Sequence, residues 1–261
     1  MSKIISTLGL IALLAGCGPE TTTVSIVNSQ TSSLESKLDQ EREIMSKKRK
    51  IEEKYHLSIS YDVDQKGTSQ FLDHIETVLG QIHPTLLGYL EHIQIGNEKC
   101  KNYQDNYCEG GQPIYTAPKT GRIQISPRRP FDADLLAHAL GHIVSAKEPP
   151  LQKGWNEMIG LDPTSGEYRA IKQSAKPTKG FLSEQGVDIS YDPNSMTTSW
   201  EEDLGSYLAA IYQRDSPFAR VESNQNLYLL KLNFLIERDL ISRVQYEKAR
   251  VELGTDLTKA N

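Results

Sequence analysis

Apolar residues along this chain recur first with a period of two and later with a period of three to four. Leu57-Ser58-Ile59-Ser60-Tyr61-Asp62-Val63 alternates strictly and predicts a strand. Ser69 to Leu90 carries helical spacing through Phe71, Ile75, Val78, Leu79 and Ile82, with a break at Pro84, whose ring removes a backbone donor. Ile93–Ile95 is a short strand, and two more are expected at Pro113–Ala117 and Arg122–Ser126. From Asp132 the pattern turns helical, near 134–147, 201–213, 226–238 and 242–252. Between Pro149 and Ser199 the chain holds Gly, Pro and Asn and is expected to form a long loop, of the length that usually carries function. Strands early and helices late predict an α+β domain over residues 57–255.

The first 56 residues read differently. Leu34 to Tyr55 alternates charge sign through Lys37, Glu41, Arg42, Glu43 and Lys47 to Lys50, and its apolar positions sustain no heptad. A solvated surface helix or stalk over 34–56 is expected, rather than a coiled coil. Residues 17–33 are rich in Thr, Ser, Asn and Gln and predict a tether. Ahead of them, Met1-Ser2-Lys3 is basic, and Ile4 to Ala15 is apolar but too short to span a bilayer. Leu14-Ala15-Gly16-Cys17 resembles the lipobox of bacterial lipoproteins. That resemblance implies a signal peptide over 1–16, lipidation of Cys17, and a protein anchored through lipid to a membrane of the cell envelope. Gly18, in place of aspartate, leans toward the outer membrane and periplasm in a cell with two membranes.

Composition adds two limits. A net charge of −5 over 261 residues argues against a nucleic-acid partner. Cys100 and Cys108 lie in a polar loop, and in an oxidising compartment a disulfide between them is the default.

The most informative stretch runs from Asp132 to Ile143. Asp132 suits a helix N-cap. His138 and His142 are four residues apart, so both imidazoles leave one helix face, a spacing that suits two ligands of one tetrahedral zinc. Leu135, Leu136, Leu140 and Ile143 supply an apolar surface, and Gly141 admits another backbone nearby. His56, His74, His83 and His92 form no such pair and read as surface or packing residues.

Leu135-Leu136-Ala137-His138-Ala139-Leu140-Gly141-His142 resembles the metallopeptidase sequence L-L-A-H-E-L-G-H with one substitution. Ser199-Trp200-Glu201-Glu202-Asp203-Leu204-Gly205-Ser206-Tyr207 resembles the glutamate helix of gluzincins, in particular the anthrax-lethal-factor-like and Pro-Pro-endopeptidase-like peptidases. The resemblance covers residues 113–215 by motif and implies a zincin-like fold, with a small mixed sheet packed on the metal-site helix and a mainly helical C-terminal half. It implies zinc held by His138, His142 and Glu202, with Glu201 taking the place of Glu202 if the register slips by one. Gly205 and Ser206 replace the family's Ala-Glu. Arg122–Ser126 resembles the edge strand that receives peptide in such enzymes. Gly154-Trp155-Asn156-Glu157 resembles their substrate-side loop. Family members often place a tyrosine upstream of the third ligand, so the resemblance implies Tyr191 as a candidate oxyanion donor, with a packed or surface tyrosine the plainer reading. Glu201 and Asp203 read as favourable helix N-terminal charges, with Asp203 alternatively orienting a histidine.

In that family the residue after the first histidine is a glutamate, the general base. Here it is Ala139, which can neither accept nor return a proton. Losing a general base costs about 10²–10⁴ in rate. The leading expectation is a pseudopeptidase that binds zinc and a peptide or protein ligand. An active endopeptidase that recruits Glu201 or Glu157, a chain in which a natural glutamate was exchanged for Ala139, and a metal-free structural envelope lipoprotein are the alternatives.

Overall fold

The computed structural model describes residues 22–62, 67–96, 114–127, 131–159, 200–214, 217–221 and 225–254. In chain order the elements are α1 (Thr22–Tyr55), β1 (Ser58–Asp62), α2 (Thr68–Leu79), α3 (Pro84–Leu87), β2 (His92–Gly96), β3 (Ile114–Ala117), β4 (Arg122–Ile125), α4 (Ala133–Lys147), α5 (Pro149–Ile159), α6 (Trp200–Tyr212), α7 (Gln225–Glu237) and α8 (Arg243–Glu252). Among the described residues this is a mixed α+β fold, mostly helical, with a four-stranded mixed sheet. Cys17, Cys100, Cys108 and Tyr191 lie outside the described residues.

The chain divides into two compact units, at Glu43 and Ile44. The described part of the first is the start of α1, where Arg42 and Asp39 pair at 3.2 Å on an exposed face. Of the tether expected over 17–33, residues 17–21 lie outside the described residues and the rest is helical, continuous from Thr22. Thr, Ser and Asn lower helix propensity only slightly, and no Gly or Pro interrupts the run from Thr22 to Tyr55.

The charged helix expected over 34–56 is present as the later part of α1, mostly exposed along its length. From Ile44 the helix belongs to the second unit, so the compact body starts there rather than at residue 57. Ile44 and Ile51 are buried. Lys47 pairs with Asp73 at 2.6 Å and donates to the Ser69 hydroxyl at 2.7 Å. Lys54 and Lys50 reach the Glu76 carboxylate at 3.0 and 3.2 Å, and their hydrogen bonds hold Glu76 below the usual carboxylate range. Two isoleucines one heptad apart make no coiled coil, yet they suffice to seat one helix on the core.

The strand order is β1-β2-β4-β3, with β1, β2 and β4 parallel and β3 antiparallel to β4. Arg122–Ser126 is therefore not the edge strand expected. β4 lies inside, and β3 takes the edge. The reversal is made at Gly121, whose φ of 59° is left-handed and whose Cβ would stand 2.7 Å from the Tyr89 carbonyl oxygen. Ile59, Ile93, Ile95, Ile123 and Ile125 join one core with Leu72, Ile75 and Leu79 of α2 and Leu136, Leu140 and Ile143 of α4. Ser58, Ser60, His92 and Arg122 alternate with them on the other sheet face, where His92 Nδ1 and Nε2 lie 2.7 and 2.9 Å from the Ser58 and Ser60 hydroxyls.

The loop expected from Pro149 is corrected over its first 11 residues, which form α5. Prolines are tolerated in a first helical turn, where no intrahelical N–H bond is lost. Leu151 and Trp155 are buried there, while Lys153 and Glu157 pair on the exposed side. Gly154 to Glu157 is thus helical, and Trp155 and Asn156 are buried rather than lining a loop. Ser242 and Gln245 form a reciprocal capping box that starts α8.

Candidate metal centre

Two glycines set the position of the site. A Cβ on Gly141 of α4 would lie 2.5 Å from Gly205 Cα of α6. A Cβ on Gly205 would lie 3.0 Å from the His138 carbonyl oxygen and 3.3 Å from the His138 ring. Neither helix presents a side chain at this point, so the backbones meet directly. Gly141 admits its neighbour as its sequence context predicts, and Gly205 stands where the resemblance leads one to expect alanine because a methyl would not fit without displacement. α4 and α6 form the most extensive helix pairing of the described residues.

This crossing brings Glu202 to the histidine pair. His138 Nε2 and His142 Nε2 are 3.0 Å apart. Glu202 Oε2 lies 3.4 Å from His138 Nε2, and Glu202 Oε1 lies 3.6 Å from His142 Nε2. One donor atom from each of the three residues can be chosen so that all lie within 4.8 Å, and the group could hold a metal ion. Ligands placed tetrahedrally around zinc at about 2.0–2.1 Å stand about 3.3 Å from one another. The three separations bracket that value, and two imidazoles with one carboxylate are a donor set that zinc accepts, so the residues fit the metal. The side chains are 19–26% exposed, which leaves the site open to an entering ion.

Burial pushes His142 below the ordinary imidazole value of 6.5, helped by nearby His138 and opposed by Glu202 and Glu201. A neutral imidazole is the form a metal needs. His92 is lowered as well, first by burial and then by Arg122. The metal-free protein should therefore lose stability as pH falls from about 7.5 to about 5.5. The unfolded histidines take a proton near 6.5 and the folded ones only at lower pH, so in this window the unfolded state binds more protons. Urea midpoints at the two pH values measure the effect, and an equal or higher midpoint at low pH would contradict it.

Glu202 lies near both imidazoles, while Glu201 raises His142 through its charge. Ala139 is buried on α4. Glu157 pairs with Lys153 at 3.7 Å on an exposed face of α5. Ser206 is buried one turn beyond Glu202. His74 contacts the Phe131 carbonyl oxygen at 2.6 Å, and His83 lies 3.6 Å from Asp239.

Asp203 adds a buried ion pair to its expected place near the helix N-terminus. It is fully buried and accepts hydrogen bonds from Lys231 Nζ of α7, at 2.8 and 2.7 Å, and from Trp155 Nε1 of α5, at 2.7 Å. It lies in the first turn of α6, as expected of an N-terminal charge, but buried and paired. Sequence reasoning missed Lys231. The available signal was a lone lysine inside the apolar run Tyr228-Leu229-Leu230-Lys231-Leu232. Compared with known proteins, the chain matches no family model, no curated protein and no solved structure.

Proposed function

We propose that this chain is a zinc-binding pseudopeptidase of zincin type, carried to the cell envelope as a lipoprotein through Cys17, which holds a peptide or protein segment without cutting it. The observation that carries the reading is the convergence of His138, His142 and Glu202 on one point while Ala139 occupies the position after the first histidine. Zinc held by these three residues would supply a Lewis acid facing an open position. The remaining chemistry belongs to the chain. Ala139 carries no atom that takes a proton from water or returns one to a leaving amine, so turnover by the usual route is lost while ligation is untouched. β3, the antiparallel edge strand, is the place where an extended peptide would add to the sheet, and β3 also packs near α4. In this reading the lipid on Cys17 is the membrane attachment, and among the described residues no helix is long and apolar enough to cross a membrane.

Zinc should raise the melting temperature of the soluble domain. Occupancy at 100 times the dissociation constant stabilises by about 2.7 kcal/mol. His142→Ala or Glu202→Ala should lose most of that shift. Thermal denaturation with and without zinc, together with metal analysis, checks this. A parent protein that takes up no zinc and is not stabilised by it would sink the reading in favour of a metal-free structural lipoprotein.

A further inference from the structure

We infer that the buried Asp203–Lys231 pair, with Trp155, is a positioning device for Glu202; the inference rests on the metal-binding reading above. Glu202 and Asp203 are consecutive on α6 and leave the helix about 100° apart. Glu202 faces His138 and His142 on α4. Asp203 accepts from Lys231 of α7 and Trp155 of α5. Both ions of the pair are 0% exposed. The Lys231 ammonium also lies 4.9 Å from the Trp155 ring centroid and 5.4 Å from that of Tyr207.

A fully buried ion pair is a poor way to stabilise a fold. Taking both charges out of water costs heavily, and well-packed apolar residues of similar volume do as well or better. Its distinctive property is direction. Apolar contact is non-directional and lets a helix turn or slide slightly. A carboxylate held by three short hydrogen bonds from two other helices permits little of either. The α6 helix is therefore pinned from α5 and α7, while Gly205 seats it against His138. This fixes the rotation of α6 that presents Glu202, rather than Glu201, to the imidazoles.

The test uses Asp203→Asn combined with Lys231→Met. The pair of substitutions removes both charges, keeps an acceptor for Trp155 and nearly conserves volume. Zinc affinity is read by competition with a chromophoric chelator, and stability of the metal-free protein by urea denaturation. The expected result is zinc affinity lowered about 10–100-fold, beyond what the fall in urea midpoint from the newly buried carboxamide N–H groups accounts for. Affinity equal to that of the parent overturns the inference, as does a loss of affinity no larger than the loss of stability explains. A parent that binds no zinc overturns the metal reading and this inference with it, whereas a parent that binds beside an equally tight variant overturns the inference alone. Should the double variant not fold, Trp155→Phe removes one bond to Asp203 and leaves the charges paired. It should lower zinc affinity several-fold, and an unchanged affinity overturns the inference.

Discussion

Ala139→Glu should convert the chain into a zinc-dependent peptidase, with a rate at least about 10²–10⁴-fold above that of the parent. Position 139 follows His138 directly and precedes His142 by three residues, so a side chain there shares the helix side of His142. A carboxylate placed beside the open ligand position would both accept the proton of the attacking water and pass it to the leaving amine. Because one group performs both transfers, the gain should sit at the upper end of the range or above it. Ala139 is buried, so the larger side chain must find room toward the cleft, and the variant's melting temperature needs to accompany its kinetics. The assay is steady-state hydrolysis of a peptide library by parent and variant, each loaded with zinc. Activity already present in the parent would mean that another carboxylate serves as base, and Glu201, beside His142, is then the first to substitute. Zinc bound without hydrolysis in either protein would remove the peptidase part of the proposal.

Gly141→Ala should lower both stability and zinc affinity, at a cost to folding of about 1–3 kcal/mol or more. The added methyl would stand 2.5 Å from Gly205 Cα and 2.9 Å from its nitrogen. Both are backbone atoms, so no rotamer relieves the clash and one helix must move. Carbon atoms prefer separations of about 3.5–4.0 Å, so the shift is on the order of an ångström. Any such movement of α6 carries Glu202 with it. Gly205→Ala should be milder, since its nearest neighbours are the His138 carbonyl oxygen at 3.0 Å and an imidazole ring at 3.3 Å. Urea denaturation and zinc competition rank the two variants. A Gly141→Ala protein as stable as the parent, or more stable than Gly205→Ala, would contradict the crossing geometry.

Much of the secondary structure was legible because period alone distinguishes strand from helix. The four late helices sit within about a residue of their expected bounds, and each early strand falls where alternation placed it. Period says nothing about neighbours, so it does not reveal that β3 lies outside β4. Pro149, Pro150 and Gly154 disguised α5, although Leu151 and Trp155 already had helical spacing. His138 and His142 were visible because four residues span roughly one turn. Glu202 was visible only through resemblance, and choosing it over Glu201 required knowing which way α6 faces. That facing is tied to the Asp203–Lys231 pair, whose members are 28 residues apart, and no local pattern links the two.

The same pair constrains when the site can come into being. Asp203 and Lys231 leave water at tolerable cost only together, so α6 has no settled seat until α7 is present. A chain emerging from a ribosome exposes both histidines before residue 231 arrives. During that interval it offers two imidazoles and no fixed carboxylate, a weak trap for stray metal. In the zinc-binding reading, loading would then wait until the domain closes, and the metal taken up would be the one found where it closes.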